Sequence, residues 1–456
     1  MSAGYPLFVL GVGLIVVVGG IVVLRMHAFL ALISAATVVS LLAPGDWSDK
    51  IPRVAEAFGT TAAGVGVVIA LAAIIGVAMT ASGAADRIVR FFLALFGEKR
   101  GDTALMASGF TLAIPVFFDT VFFLLVPLVR SMYRRVGRHY LRFLMAAASC
   151  AVAHALVPPT PGPLLVADTL GVDLGVMMIV GTAVAVPAAI ASLAFAAWAD
   201  RRMPVTPPPP ITEAPTVIAN RSGEGPGLGW SLLPILLPVA LITGNTVAGA
   251  LDLGEHAPAA AAVLAVAGNP QFALLLAAFL ALWTYWRLCR PTATQMSDAI
   301  GEALMAAGVI VLITCAGGAF GGALRAAELS EAIKAMAGDA ATGGIGLLLM
   351  AFGVASLIKF AQGSSTAAMI VTSAMFAAMI DPGALGYHPV YLATAIGSGS
   401  LVGSWMNDSG FWIFARMGGL TELQALKTWT PLLVLLGAVS MVMTLVLAIL
   451  LPMPPA

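Results

Sequence analysis

The chain has 456 residues, of which 60% are hydrophobic and 10% charged, against roughly 25% charged in a typical soluble domain. Lys+Arg and Asp+Glu balance at 22 each, so the formal net charge is zero, and the mean hydropathy is +1.01. These values exclude a soluble enzyme and a disordered tail, and with no basic excess there is no nucleic-acid partner. What remains is a multi-spanning membrane protein whose main solvent is the lipid bilayer.

A spanning helix needs about 20 apolar residues. In chain order the sequence offers spans at 5–24, 28–43, 60–82, 143–166, 174–198, 230–250, 271–289, 303–323, 390–414 and 431–452. The first run has no positive leader and no small-residue cleavage site before Arg25, so it reads as a retained span and not a signal peptide. Two further apolar stretches, 104–129 and 342–380, are interrupted by polar or helix-breaking residues. Segment 200–228 holds Pro207 to Pro210 and then Glu213, Asn220, Arg221 and Glu224. That composition suits neither hydrocarbon nor a packed core, so it reads as a polar, Pro-rich cytoplasmic linker. Cys150, Cys289 and Cys315 sit in apolar runs without CxxC spacing, which supports neither a disulfide framework nor a metal site.

The linker divides the chain into 1–199 and 229–456, and the two parts share an order of features. An offset of 245 lays 76–88 (GVAMTASGAADRI) on 321–333 (GGALRAAELSEAI), and 115–120 (PVFFDT) on 360–365 (FAQGSS). An offset of 248 lays 160–163 on 408–411, each after a run of small residues. Internal repeats of this kind mark transporters.

Charge sets the orientation. Arg87, Arg90, Lys99 and Arg100 precede 104–129, and Arg130, Arg134, Arg135, Arg138 and Arg142 follow it. The positive-inside rule places both flanks in the cytoplasm. Segment 104–129 therefore reads as a re-entrant hairpin with its tip near 115–119; the alternative is one long tilted span, since Pro is tolerated in membranes. Its counterpart 342–380 is flanked by Asp339 and Asp381 and reads as a hairpin entering from outside. Five spans plus one hairpin per half put both termini outside and make the repeats inverted. The expected fold is thus an all-α polytopic membrane protein. Its two inverted-topology repeats have hairpins at about 104–129 and 342–380, and broken helices at about 143–166 and 390–414.

Unwound backbone in a membrane must line a cavity or bind something. The sequence breaks at 115–119, 158–163, 362–366 and 407–410. In an inverted repeat these four places converge near the midplane, where half-helix N-termini present N–H groups to an anion. The implied ligand is a small carboxylate rich in hydroxyls. Its expected contacts are Thr120, Thr160, Gln362, Gly363, Ser364, Ser365, Thr366, Asn407 and Ser409, with Lys359 pairing the substrate, pairing a protein carboxylate or snorkelling to the surface. Intramembrane ionisable groups are functional candidates by default. Asp119, His154 and Asp408 are candidates for the coupling proton, although each also has an ordinary structural role as cap or packing hydrogen-bonder. Phe117, Phe118, Phe122 and Phe123 read as hairpin packing, Trp283 and Trp286 as an interfacial belt, and His256 and His388 as residues of outer loops. HExxH and Walker A motifs are absent.

At these motifs the sequence resembles the gluconate:proton symporter (gluconate permease) family of the ion-transporter superfamily. The matching stretches include PVFFDTVFFLLVPL (115–128), HALVPPTPGP (154–163), GGAFGGAL (317–324), AQGSSTAAMI (361–370), GSGSLVGSWMNDSGFW (397–412) and TELQALKTW (421–429). The resemblance implies proton-driven uptake of gluconate or a related sugar acid; the alternatives are another small organic acid or D-serine, sodium coupling, and an intramembrane enzyme. It implies no catalytic residue and no cofactor beyond the coupling ion. It also implies a multi-pass inner-membrane location, a homodimer and an elevator-like moving domain. The chain departs from the familiar pattern at Asp119, where Glu is usual, at Lys359, where Arg is usual, and at Trp405, where His is usual.

Overall fold

The computed structural model describes residues 4–206, 226–251, 257–327, 344–379, 385–406 and 408–453. Most of the linker, His256, Asp339, Asp381, Asn407 and the side chain of Gln362 lie outside the described residues. Every regular element among those described is helical. Among the described residues, seven helices are long and apolar enough to cross a membrane, and six shorter apolar helices accompany them.

The first half begins with α1 (Gly4–Val18), prolonged by a π-helical turn, and α2 (Ala28–Leu42). Helix α3 (Lys50–Thr61) runs through a second π turn into α4 (Val67–Ser82), so the span expected at 60–82 starts ten residues earlier. Gln271 Nε2 donates to Ala63 O within this π turn at 3.1 Å. An amphipathic helix α5 (Ala84–Phe96) follows; its arginines 87 and 90 are exposed and Ile88 and Val89 are buried. Next come α6 (Gly101–Leu112) and α7 (Phe118–Val136), then α8 (Tyr140–Ala148), α9 (Ala151–Leu156) and α10 (Pro161–Thr169), and finally α11 (Leu174–Arg202). The helix stops at Leu112 and restarts at Phe118, and α8 packs against both arms. The two arms extend beyond 104–129 at both ends.

The second half contains α12 (Leu228–Ala250), α13 (Pro258–Ala267), α14 (Pro270–Cys289) and the long α15 (Ala293–Ala326). Helices α16 (Ile345–Gln362) and α17 (Ser365–Met379) form the second hairpin; α18 (Val390–Gly399) and α19 (Ser409–Gly418) form the second broken helix; α20 (Glu422–Leu450) closes it. Helix α13 was not legible as a separate element, and α20 begins nine residues before the expected span. Its start is set by a capping box in which Thr421 and Gln424 satisfy each other's backbone N–H groups, as Thr292 and Gln295 do for α15.

Packing between the halves is reciprocal. Helix α2 packs on α15 as α14 packs on α4, and α10 packs on α17 as α19 packs on α7. One group of helices, α1–α4 and α12–α15, thus flanks another made of the two hairpins, the broken helices, α11 and α20. Small residues line the seam. A Cβ on Gly317 would lie 1.8 Å from Ile370 Cγ2, and one on Gly321 would lie 3.1 Å from Ala374 Cβ, so α15 and α17 approach closely. His388, expected in an outer loop, is buried, and its Nδ1 accepts from Val390 N–H at the start of α18.

Candidate functional site

Each of the four interruptions has a local cause. At the first tip, Pro115 supplies no N–H and disfavours helix in the residue before it. Phe117 is extended, and α7 begins at Phe118, which puts Asp119 in its first turn where the helix dipole favours a carboxylate. The Asp119 side chain is exposed and has no hydrogen-bond partner among the described residues.

At the first break, Val157 is extended before the prolines, and α10 restarts at Pro161. Thr160 does not cap α10. Its hydroxyl turns back and donates to His154 O and Val157 O, both at 2.9 Å, satisfying carbonyls that the broken helix leaves free. His154 lies edge-on to Phe117 with ring centroids 6.2 Å apart, and its Nδ1 has no hydrogen-bond partner among the described residues.

At the second tip, α16 ends at Gly363, whose φ of +81° is the left-handed cap conformation that favours glycine. Its N–H donates to Lys359 O at 2.8 Å. Ser364 Oγ then accepts from Ala367 N–H at 3.2 Å and starts α17. At the second break, the chain passes through turns after Gly399, and Asp408 Oδ1 accepts from Gly410 N–H at 2.9 Å to cap α19.

The four interruptions meet at one cavity of about 220 Å³. Asp119, His154, Lys359, Ser364, Ser365, Thr366, Asp408 and Ser409 line it, all of them site candidates from the sequence. Thr120, Thr160 and Gly363 do not line it. The first turns of α17 and α19 face it, an arrangement that suits an anion.

Among the described residues Lys359 is the one cation in the lining, and it is already engaged. Its Nζ donates to Asp408 Oδ2 at 2.7 Å and to Gly363 O at 2.8 Å, with side-chain exposures of 1% for Lys359 and 9% for Asp408. Asp408 Oδ2 also accepts from the Ser404 hydroxyl, and Ser404 Oγ accepts from Trp429 Nε1–H at 2.6 Å. This chain runs from α20 through the second break to the second tip. Sequence reasoning did not single out Ser404 or Trp429; a serine four residues before Asp408 was the available signal. Phe117 and Phe118 line the cavity too, which corrects their reading as hairpin packing alone. Phe118 and Phe414 pack on Trp429 with centroids 5.4 and 5.3 Å away, so an aromatic cluster ties α7 and α19 to α20. Trp405 lies outside the lining; it stacks on Phe360 at 5.6 Å and donates to Phe360 O at 2.9 Å.

Paired hairpins and paired broken helices around a polar cavity, carried by apolar spans, define a membrane transport protein. Comparison with known proteins narrows the class. The GntP family permease model matches residues 5–450, and the chain belongs to that family of permeases, which are not enzymes. It is 34% identical over 447 residues to a gluconate permease of Pseudomonas aeruginosa, covering 96% of this chain and 97% of that one. It is 31% identical over 433 residues to the low-affinity gluconate transporter of Escherichia coli (strain K12), covering 92% and 93%. Among solved structures, the YdaH transporter of Alcanivorax borkumensis superposes with a TM-score of 0.63 over 94% of this chain and 98% of that one. At 13% identity, that likeness shows the fold alone. The protein is a multi-pass protein of the inner membrane.

Proposed function

We propose that this permease imports a small hydroxylated carboxylate, gluconate or a related sugar acid, together with protons. The observation that carries this reading is the convergence of both tips and both breaks on one cavity that offers hydroxyls, two helix N-termini and one cation. Hydroxyls and helix N-termini suit a carboxylate with a polyol tail. The relatives named as gluconate permeases and transporters support the same substrate class.

Charge in the cavity supports a coupling ion. Asp119 and Asp408 oppose a single Lys359, so the ionised lining carries an excess of one negative charge before an anionic substrate arrives. Adding a proton with the substrate removes a repulsion that is costly away from water. The reciprocal packing of the halves is what inverted repeats require, and the glycine-lined seam suits a moving body of hairpins and broken helices.

The test is uptake of labelled gluconate into proteoliposomes with an alkaline interior, with and without a protonophore. Accumulation that the protonophore abolishes is expected. Failure of the folded protein to take up gluconate or other hydroxy acids overturns the substrate class, and dependence on sodium at fixed pH overturns the proton. One observation favours a second reading. The only lining cation among the described residues is paired while Asp119 is open, an arrangement that also suits a zwitterion such as D-serine, with its ammonium on Asp119. Competition of labelled gluconate uptake by D-serine separates the two.

A further inference from the structure

The Lys359–Asp408 pair poses a problem for any anion that enters the cavity. The ammonium is the attractive partner for a substrate carboxylate, yet Asp408 and the tip carbonyl of Gly363 hold it. Withdrawing it from an ionised Asp408 leaves a buried carboxylate whose donors among the described residues are Ser404 and Gly410 N–H. A buried charge stripped of its counter-ion is strongly unfavourable. A proton on Asp408 removes that obstacle.

We propose that this pair is the coupling switch: Asp408 takes the transported proton, and the substrate's carboxylate takes Asp408's place on Lys359. The proposal rests on the proton-coupled reading above and names its coupling residue. The exchange conserves charge, with one cation and one anion at the pair before and after it. Substrate and proton therefore bind together. The other titratable groups facing Asp408 across the cavity are Asp119 from α7 and His154 from α9; α15 and α20 contribute only Ile310, Trp429 and Leu433. Asp119, with no partner of its own among the described residues, is left to accept hydrogen bonds from the substrate's hydroxyls. Ser404 and Trp429 are positioning residues that hold Asp408 in place while the ammonium changes partner.

The test is equilibrium binding of labelled gluconate to the purified full chain across mildly acidic to mildly alkaline pH. In the wild type, Kd should rise roughly tenfold per pH unit on the alkaline side, the slope for one proton taken up per substrate. Asp408→Asn mimics the protonated residue and can still cap α19. It should bind at least as tightly as the wild type, independently of pH, and exchange gluconate across the membrane without accumulating it. Asp119→Asn should bind more weakly with the pH slope intact, and Lys359→Met should not bind at any pH. A slope that persists in Asp408→Asn, or disappears in Asp119→Asn, overturns the proposal and moves the proton to another group. Uptake driven by sodium, with no pH slope, overturns it while leaving the transport reading in place. A folded wild type that binds none of the hydroxy acids overturns both.

Discussion

The two halves share an order of elements but not a chemistry. At the first break the polar groups look inward: Thr160 closes on the carbonyls of His154 and Val157, and no ion pair is involved. At the second break the polar groups reach across the molecule, from Trp429 through Ser404 and Asp408 to Lys359 and Gly363. The tips differ in the same way. Asp119 stands open to the cavity, whereas Lys359 ties the second tip to the second break. One framework thus serves two tasks. The first half shapes the cavity and leaves a carboxylate free, and the second stores a compensated charge pair that a ligand can rearrange. A repeat fixes where backbone is unwound, and the side chains at each unwound place decide what it does.

The largest expected effect tests the second break. Lys359→Met leaves Asp408 buried without its cation, a loss of about 3–5 kcal/mol for a broken buried pair, and should abolish uptake and lower the thermal unfolding midpoint. Adding Asp408→Asn should recover most of the midpoint, since no charge is then left buried. Uptake should stay absent. If the double variant transports, the pair is scaffolding, and the contrast between the halves loses its functional meaning.

A second test asks whether the two breaks are supported alike. Gly181 of α11 lies under the carbonyl of Leu156, where an added Cβ would sit 2.1 Å from the oxygen. Gly437 of α20 lies under Ser398 O, with 2.6 Å for the same construction. The last helix of each half therefore presses a glycine against the first segment of its broken helix. Both contacts involve backbone oxygens, which cannot swing aside as a flexible side chain would. Gly181→Ala and Gly437→Ala should each destabilise by about 1–3 kcal/mol, the range for overpacking, with Gly181→Ala the more severe. Equal unfolding midpoints for wild type and both variants would show that the helices shift apart freely. A smaller effect falls on Asp119→Asn, which keeps a carbonyl acceptor but loses the charge and should raise KM for gluconate several-fold, about 1 kcal/mol.

The difference between the halves was only partly legible in the sequence. Prolines and glycines announced where helices stop, because Pro115, the prolines at 158 and 159, and Gly363 constrain their own backbone whatever surrounds them. The intramembrane charges were equally visible, since so few exist. Partnership was not. Lys359 and Asp408 are 49 residues apart, and the sequence left Lys359 between substrate, protein carboxylate and surface. Trp429 reads in the sequence as one more aromatic at the head of a span, yet its indole N–H orients the serine that holds Asp408. Thr160 shows the converse. Its place beside a proline-rich break suggested a ligand contact, but an exposed carbonyl needs a donor, and the nearest hydroxyl satisfies that need locally.

That local use of Thr160 gives the smallest prediction and the sharpest one for the first break. Thr160→Val keeps the shape and removes the hydroxyl that bridges His154 O and Val157 O. The net worth of such a bond is about 0.5–1.5 kcal/mol, and a carbonyl left buried without a donor costs somewhat more. The unfolding midpoint should fall slightly, while KM for gluconate stays where it is, because Thr160 does not line the cavity. Ser365→Ala, beside the second tip and in the lining, should do the reverse, raising KM with little change in midpoint. The paired measurement separates a hydroxyl that maintains a break from one that meets the ligand. If Thr160→Val raises KM as Ser365→Ala does, the first break contacts substrate in another state of the transport cycle, and the two halves are more alike in function than their hydrogen bonds show.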